Sequence, residues 1–190
     1  METREKLYRT AMELFAKRGY FETTTEDITE AADVGQGTFF NYFPTKSHVL
    51  LALSEKQLGK VRAAAQEATK PGIPVYEVFH RFIHDIVEEL ARSQALARSL
   101  LTIFVSQEDV RTLMGNTLSQ GREGLARICE IAQKRGEIRR DRKAADLAMT
   151  LQRNVLGTLL IWTMQSKADL HAWLDKTLED FWEIAEAKKH

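Results

Sequence analysis

One cysteine, Cys129, stands in a chain of 190 residues, which excludes an internal disulfide and a cysteine-based zinc site. There are only three prolines, and two of them, Pro71 and Pro74, share one short stretch, so the segments on either side run long without a breaker. No apolar run approaches bilayer length: the longest, Val155 to Met164, is interrupted by Gly157, Thr158 and Thr163 and is far too short to span. No signal-peptide pattern opens the chain. Met1-Glu2-Thr3-Arg4 leads straight into an amphipathic segment, so the cytoplasm is the expected location and no membrane partner is expected. Gly-x-Ser-x-Gly, phosphate-binding glycine loops and His-Glu-x-x-His are all missing, and an enzyme is not expected. Excess charge of either sign is lacking too. The net charge is zero, and residues 1–50 hold six basic against eight acidic side chains, a net of −2. Nucleic-acid binding by this end would therefore rest on a few placed contacts, with a modest salt dependence.

What is present is helical periodicity. Leu7, Ala11, Leu14 and Phe15 repeat on one face of a helix over 3–18, closed by Gly19. A longer helix over 46–68 follows, with Val49, Leu50, Leu53 and Val61 inward. Thr69-Lys70-Pro71-Gly72-Ile73-Pro74 is the clearest internal boundary. Beyond it come a helix to about residue 92, a short helix around Leu96 to Phe104, one over about 110–135 containing Gly115, Gly121 and Gly124, and two final helices over about 143–166 and 169–187. The fold class is all-α, about nine helices, with no strand pattern. The division read from this is a head at 1–46, a connecting helix at 47–68 and a larger body at 74–190.

Thr24 to Lys46 is the stretch most informative about function. It reads as a short helix, a tight turn, a second short helix and the start of a third, the layout of a helix-turn-helix DNA reader. Thr24 caps the first helix, with Asp27 three residues on. Asp33 takes the turn, where Asp tolerates left-handed backbone better than most residues. Gly35 caps the second helix and Pro44 ends it. At about 100° per residue, Phe39 and Phe43 face inward, while Gln36, Gly37, Phe40 and Asn41 fall outside. Gln and Asn pair bidentately with adenine, and an apolar ring can touch a thymine methyl. These four are the expected base readers. Thr25, Thr38, Tyr42 and Lys46 are the expected phosphate contacts. Glu26 either accepts from a cytosine N4 or is simply solvated.

Thr23-Thr24, Asp27-Ile28, Ala32, Val34, Gly37-Thr38, the aromatic run Phe39 to Phe43, and Lys46 together resemble the N-terminal signature of TetR-family transcriptional regulators. The departures are Asp33 for a usual Gly, Gly35 for a frequent Ser, Phe40 for a common Tyr and His48 for a common Glu. The resemblance covers roughly 40 residues and implies a ligand-responsive regulator, a repressor released from a palindromic, inverted-repeat operator on double-stranded DNA by a small-molecule effector. It further implies a homodimer formed by the last two helices and an effector pocket in the body. The proposed switch is a population shift that changes the tilt of helix 46–68. The alternatives are a helical protein-interaction module that binds no DNA and a helical-bundle metalloenzyme.

Leu151, Val155, Leu156, Trp173, Leu174, Leu178 and Phe181, in helices too apolar to be covered by one neighbour, are the expected dimer interface. Phe79, Phe82, Phe104, Met114, Leu118, Leu159 and Trp162 are the candidate effector pocket, and few buried charges nearby point to a neutral or apolar effector. Glu77, His80, His84 and Glu88 line one side of their helix. Glu77-x-x-His80 is a fragment of di-iron bundle motifs, but no second copy exists. They read as a polar face, and no metal or cofactor is expected. Arg139, Arg140 and Arg142 read as a solvated basic loop, with a second phosphate contact as the alternative.

Overall fold

The computed structural model describes residues 2–165 and 168–187. Nine helices form among the described residues: α1 (Thr3–Arg18), α2 (Thr25–Ala31), α3 (Gln36–Tyr42), α4 (His48–Ala68), α5 (Val75–Ala91), α6 (Gln94–Ser106), α7 (Glu108–Arg135), α8 (Ala144–Trp162) and α9 (Leu170–Ala185). No strand forms among them. A single antiparallel bridge joins Ile138 to Glu186.

The starts and stops follow local chemistry. Glu2 is the N-cap of α1, and Gly19 closes that helix at φ 89°, where a Cβ would be strained. The Ser93 side chain accepts from Leu96 N at the start of α6. Asp169 accepts from His171 N and Ala172 N at the start of α9, so both helices begin on the side chains best suited to free N–H groups. α7 runs unbroken through Gly115, Gly121 and Gly124. One of these glycines has a packing reason: a Cβ on Gly124 would lie 2.2 Å from Cγ1 of the buried Val61 on α4.

The chain forms two compact units, one of Met1–Lys56 with Leu90–Gly115, the other of Gln57–Glu89 with Asn116–His190. They do not follow the single boundary expected at 69–74. α6 joins the first unit because Leu96, Leu100 and Ile103 belong to the same core as Leu7, Phe15, Ile28, Phe39 and Phe43. A backbone tie reinforces this, the Tyr20 N–H donating to Ser99 Oγ at 2.8 Å. α4 supplies Val49, Leu50 and Leu53 to the first unit and continues without a break into the second, where Val61, Ala64 and Ala68 are buried.

The second unit is built on α5, α7, α8 and α9. α5 buries Val75, Val78, Phe79, Phe82, Ile83 and Val87 on one broad face. α8 and α9 pack against each other, with Thr158 and Thr177 hydroxyls 2.7 Å apart between them. The Trp162 indole N–H closes the end of α8 on the Ala168 carbonyl at 2.8 Å.

Burial corrects the expected dimer surface. Leu151, Leu174, Leu178 and Phe181 are enclosed within the chain's own unit, where a partner cannot reach them. Val155 and Trp173 are half-buried. In this region the large apolar side chains left in solvent are Leu156, Leu160, Ile161 and Met164 along and just beyond the end of α8, with Ile184 on α9. The basic loop is solvated at Arg140 and Arg142, and two of its arginines have partners within the chain. Arg139 donates to the Ile184 carbonyl at 3.2 Å and pairs with Asp141. Arg140 donates to the Gln133 carbonyl at 2.6 Å. These two arginines tie backbone together instead of standing free for phosphate.

Candidate nucleic-acid interface

The helix-turn-helix lies in the first unit and its frame is local. Thr24 and Asp27 form a reciprocal capping box. Thr24 Oγ1 accepts from Asp27 N at 3.0 Å, and Asp27 Oδ2 accepts from Thr24 N at 2.8 Å. Those bonds from the Thr24 backbone and hydroxyl, with Arg18 nearby, hold the Asp27 carboxyl below the usual carboxylate range. The turn depends on Asp33, the one non-glycine residue at positive φ among those described, at φ 50°. With the chain reversed there, Val34 N–H bonds back to the Thr29 carbonyl at 3.0 Å. Ile28, Ala32, Phe39 and Phe43 then close into the core, each at most 1% exposed. The Phe39 and Phe43 rings sit 5.6 Å apart.

That packing decides what α3 shows to solvent. Gln36, Gly37, Phe40 and Asn41 are all exposed, and Thr38 is half-buried. Phe40 stands edge-on to Phe39 at 5.5 Å and keeps its outer face in water, as does Tyr42. No atom lies within 4 Å of where a Gly37 Cβ would be, so nothing inside the protein demands that glycine. Glu26 is exposed but not isolated. Its carboxylate takes a 3.1 Å bond from the Thr25 hydroxyl and a short one from Gln36 Nε2, orienting the Gln36 amide across the turn.

Lys46 is placed differently from its expected phosphate role. It precedes α4, and its ammonium donates to the carbonyls of Tyr20 at 2.7 Å and Thr23 at 2.6 Å. It also lies 4.3 Å from the centre of the Tyr20 ring. Burial pushes its pKa down, with Asp27 and Glu22 opposing. Lys46 pins the 20–23 loop that leads into α2.

Gln36, Gly37, Phe40 and Asn41 thus lie together on one exposed short helix, behind a capped partner helix and a left-handed turn, the layout of a helix-turn-helix. Residues 7–53 match the family model described as "Bacterial regulatory proteins, tetR family". The chain carries a TetR-family N-terminal domain. Among curated relatives, the HTH-type regulator TcmR of Streptomyces glaucescens is 49% identical over 49 residues, 26% of this chain and 22% of that one. The HTH-type regulator YhgD of Bacillus subtilis is 28% identical over 109 residues, 57% of this chain and 54% of that one. The chain thus spans about half the length of YhgD and less of TcmR. Among solved structures, Thermus thermophilus FadR, a TetR-family repressor in complex with lauroyl-CoA, is similar over 98% of this chain and 97% of that one. It is 29% identical, with a TM-score of 0.68. No helix among the described residues is long and apolar enough to cross a membrane.

The expected effector-pocket residues are divided between the two units. Phe104 and Met114 fall in the first unit, Phe104 packed against its core. Phe79, Phe82, Leu118, Leu159 and Trp162 fall in the second. Phe79 is fully buried, its ring 6.2 Å from Phe181, and serves as core. Two open depressions in the second unit are lined elsewhere, one by residues of the 69–74 turn with Arg135 and Glu137, the other by Tyr76, Trp182 and neighbours.

The polar side of α5 is partnered along its length. Glu77 pairs with Arg81 at 3.5 Å and Glu88 with Lys60 at 3.6 Å. His80 and His84 turn instead to α9, where Asp175 and His171 meet them. The signal for this was in the chain, as two pairs at i,i+4 spacing, but nothing in a single sequence says that those two helices face each other.

Proposed function

We propose that this TetR-family chain is a one-component, ligand-responsive transcriptional repressor that binds an inverted-repeat DNA operator as a homodimer in the cytoplasm and catalyses no reaction. The observation that carries the reading is the exposed face of α3, where Gln36, Gly37, Phe40 and Asn41 lie together in solvent. Gln36 and Asn41 read adenine edges, Phe40 meets a thymine methyl, and Gly37 lets the helix approach the bases. Thr25, Thr38 and Tyr42 contact phosphate. Lys46 serves chiefly by holding the loop before α2. The apolar strip Leu156, Leu160, Ile161 and Met164 supports the homodimer, since so much exposed hydrocarbon on one helix is costly in water.

The effector side rests on similarity. The Thermus FadR repressor was solved with lauroyl-CoA, and an acyl chain fits the apolar character of the second unit, where Phe82, Leu118, Leu159 and Trp162 are candidates for lining. A ligand acts only through its differential affinity for two conformations. α4, unbroken from His48 to Ala68, is the covalent route by which such a difference would reach the first unit. Selection of bound duplexes from a random DNA pool tests the proposal. A shared inverted repeat with half-sites about one helical turn apart is expected. Absence of enrichment would refute DNA recognition, and enrichment of a single unrepeated site would refute the dimer.

A further inference from the structure

We propose that the second unit binds one divalent transition-metal ion of the zinc class, held by His80 and His84 of α5 and Asp175 of α9. Each helix brings two donors one turn apart, His80 and His84 on one, His171 and Asp175 on the other. Asp175 Oδ1 lies 2.7 Å from His84 Nε2 and 3.1 Å from His80 Nε2. The three ligand atoms all fall within 4.8 Å of one another. A tetrahedral site with bonds of about 2.0–2.1 Å has ligand atoms about 3.3 Å apart. The two separations to Asp175 therefore need to open by only a few tenths of an ångström to admit an ion.

The surroundings suit a metal better than a simple hydrogen-bonded knot. Two imidazoles converge on a single carboxylate oxygen, the nitrogen-nitrogen-oxygen donor set of three-ligand zinc sites, which leave a fourth position for water or another ligand. Imidazole nitrogens select zinc-like ions over calcium or magnesium, which prefer oxygen. His84 is also oriented from behind. Its Nδ1 lies 2.6 Å from Nδ1 of His171, and the two rings stack at 4.9 Å and 18°. With His84 Nε2 on the metal, Nδ1–H donates to His171, an outer-shell partner that fixes ring and tautomer. The His84 side chain is 19% exposed while His80 and Asp175 are each 45% exposed, so the site is anchored on one side and open to hydrated ions on the other. An ion bound there joins α5 to α9 and stabilises the second unit, because the unfolded chain offers no such site.

The proposal is independent of the DNA-reading face, and its test uses the full chain with zinc chloride and cobalt chloride as probes. Calorimetry with a competing chelator should give one zinc ion per chain. Cobalt should develop the visible absorption of a four-coordinate site. His80→Ala and Asp175→Asn, both at half-exposed positions, should keep their helical circular dichroism and weaken zinc by at least about 100-fold. His171→Ala should weaken it by about 10–100-fold through lost orientation. His48→Gln, in the first unit, should leave binding unchanged. Wild-type affinity no tighter than about 100 µM, or equal binding by wild type and both ligand variants, overturns the site.

Discussion

Replacing Leu156 and Leu160 together by aspartate separates the outer face of α8 from the core beneath it. Leu156 is 37% and Leu160 44% exposed, so the folded chain should lose little by the exchange, within about 0.5 kcal/mol for surface positions of this kind. In a two-fold dimer the same exchange places four carboxylates in one apolar contact. At even about 1 kcal/mol each, the cost comes to about 4 kcal/mol, a roughly 1,000-fold weaker dimer. Leu174→Ala is the opposite case. Leu174 is fully enclosed, and truncating such a leucine costs about 2–5 kcal/mol. For a chain of this size that lowers Tm by roughly 5–15 °C, with the dimer contact itself untouched. Sedimentation velocity at micromolar protein and thermal circular dichroism read the two effects separately. The reasoning fails if the double aspartate variant stays dimeric across the concentration range, or if Leu174→Ala dissociates the dimer without lowering Tm.

Asn41→Ala should cost about 1–3 kcal/mol at one operator position and relax the preference there; equal weakening on every sequence in a binding array would assign Asn41 to phosphate instead. Gly124→Ala should destabilise by about 1–2 kcal/mol in urea unfolding, because the new methyl meets Val61 and overpacking outweighs the helix-propensity gain. Gly115→Ala, with nothing within 4 Å of its Cβ position, should stabilise by up to about 1 kcal/mol, and the two having the same sign would contradict the close approach. Thr24→Ala removes the cap of α2 and should cost about 1 kcal/mol. The capping box also sets a pH dependence. The folded pKa of Asp27 is lowered, so its contribution is present above the ordinary carboxylate pKa and is lost as pH falls through the lower folded value. Wild type and Thr24→Ala should therefore converge in stability in acid, and a difference undiminished there would remove Asp27 from the box.

Much of the helix-turn-helix was legible because its determinants lie within a few residues of one another. Thr24 and Asp27 are three apart, Phe39 and Phe43 one turn apart, and Asp33 needs only its own backbone to make the turn. The outward set on α3 follows once Phe39 and Phe43 point in. Lys46 was less legible. Proximity to the motif suggested phosphate, but its ammonium meets carbonyls more than twenty positions earlier. Helical periodicity marked α9 as apolar without saying whether its leucines face α8 or a partner. α6, placed by sequence with the body, buries its leucines in the core of the first unit.

By itself, then, the sequence determined the helices of the described residues, the caps and turn of the helix-turn-helix, and the residues that α3 presents, because hydrogen bonds and side-chain period over a few residues decide these. Only the tertiary structure decided which apolar faces remain in water, that Lys46 and Arg139 are spent on backbone carbonyls, and that His80 and His84 meet Asp175. Each of these depends on which helices become neighbours. That choice is made by burial summed over a whole unit, and no local stretch of chain carries it.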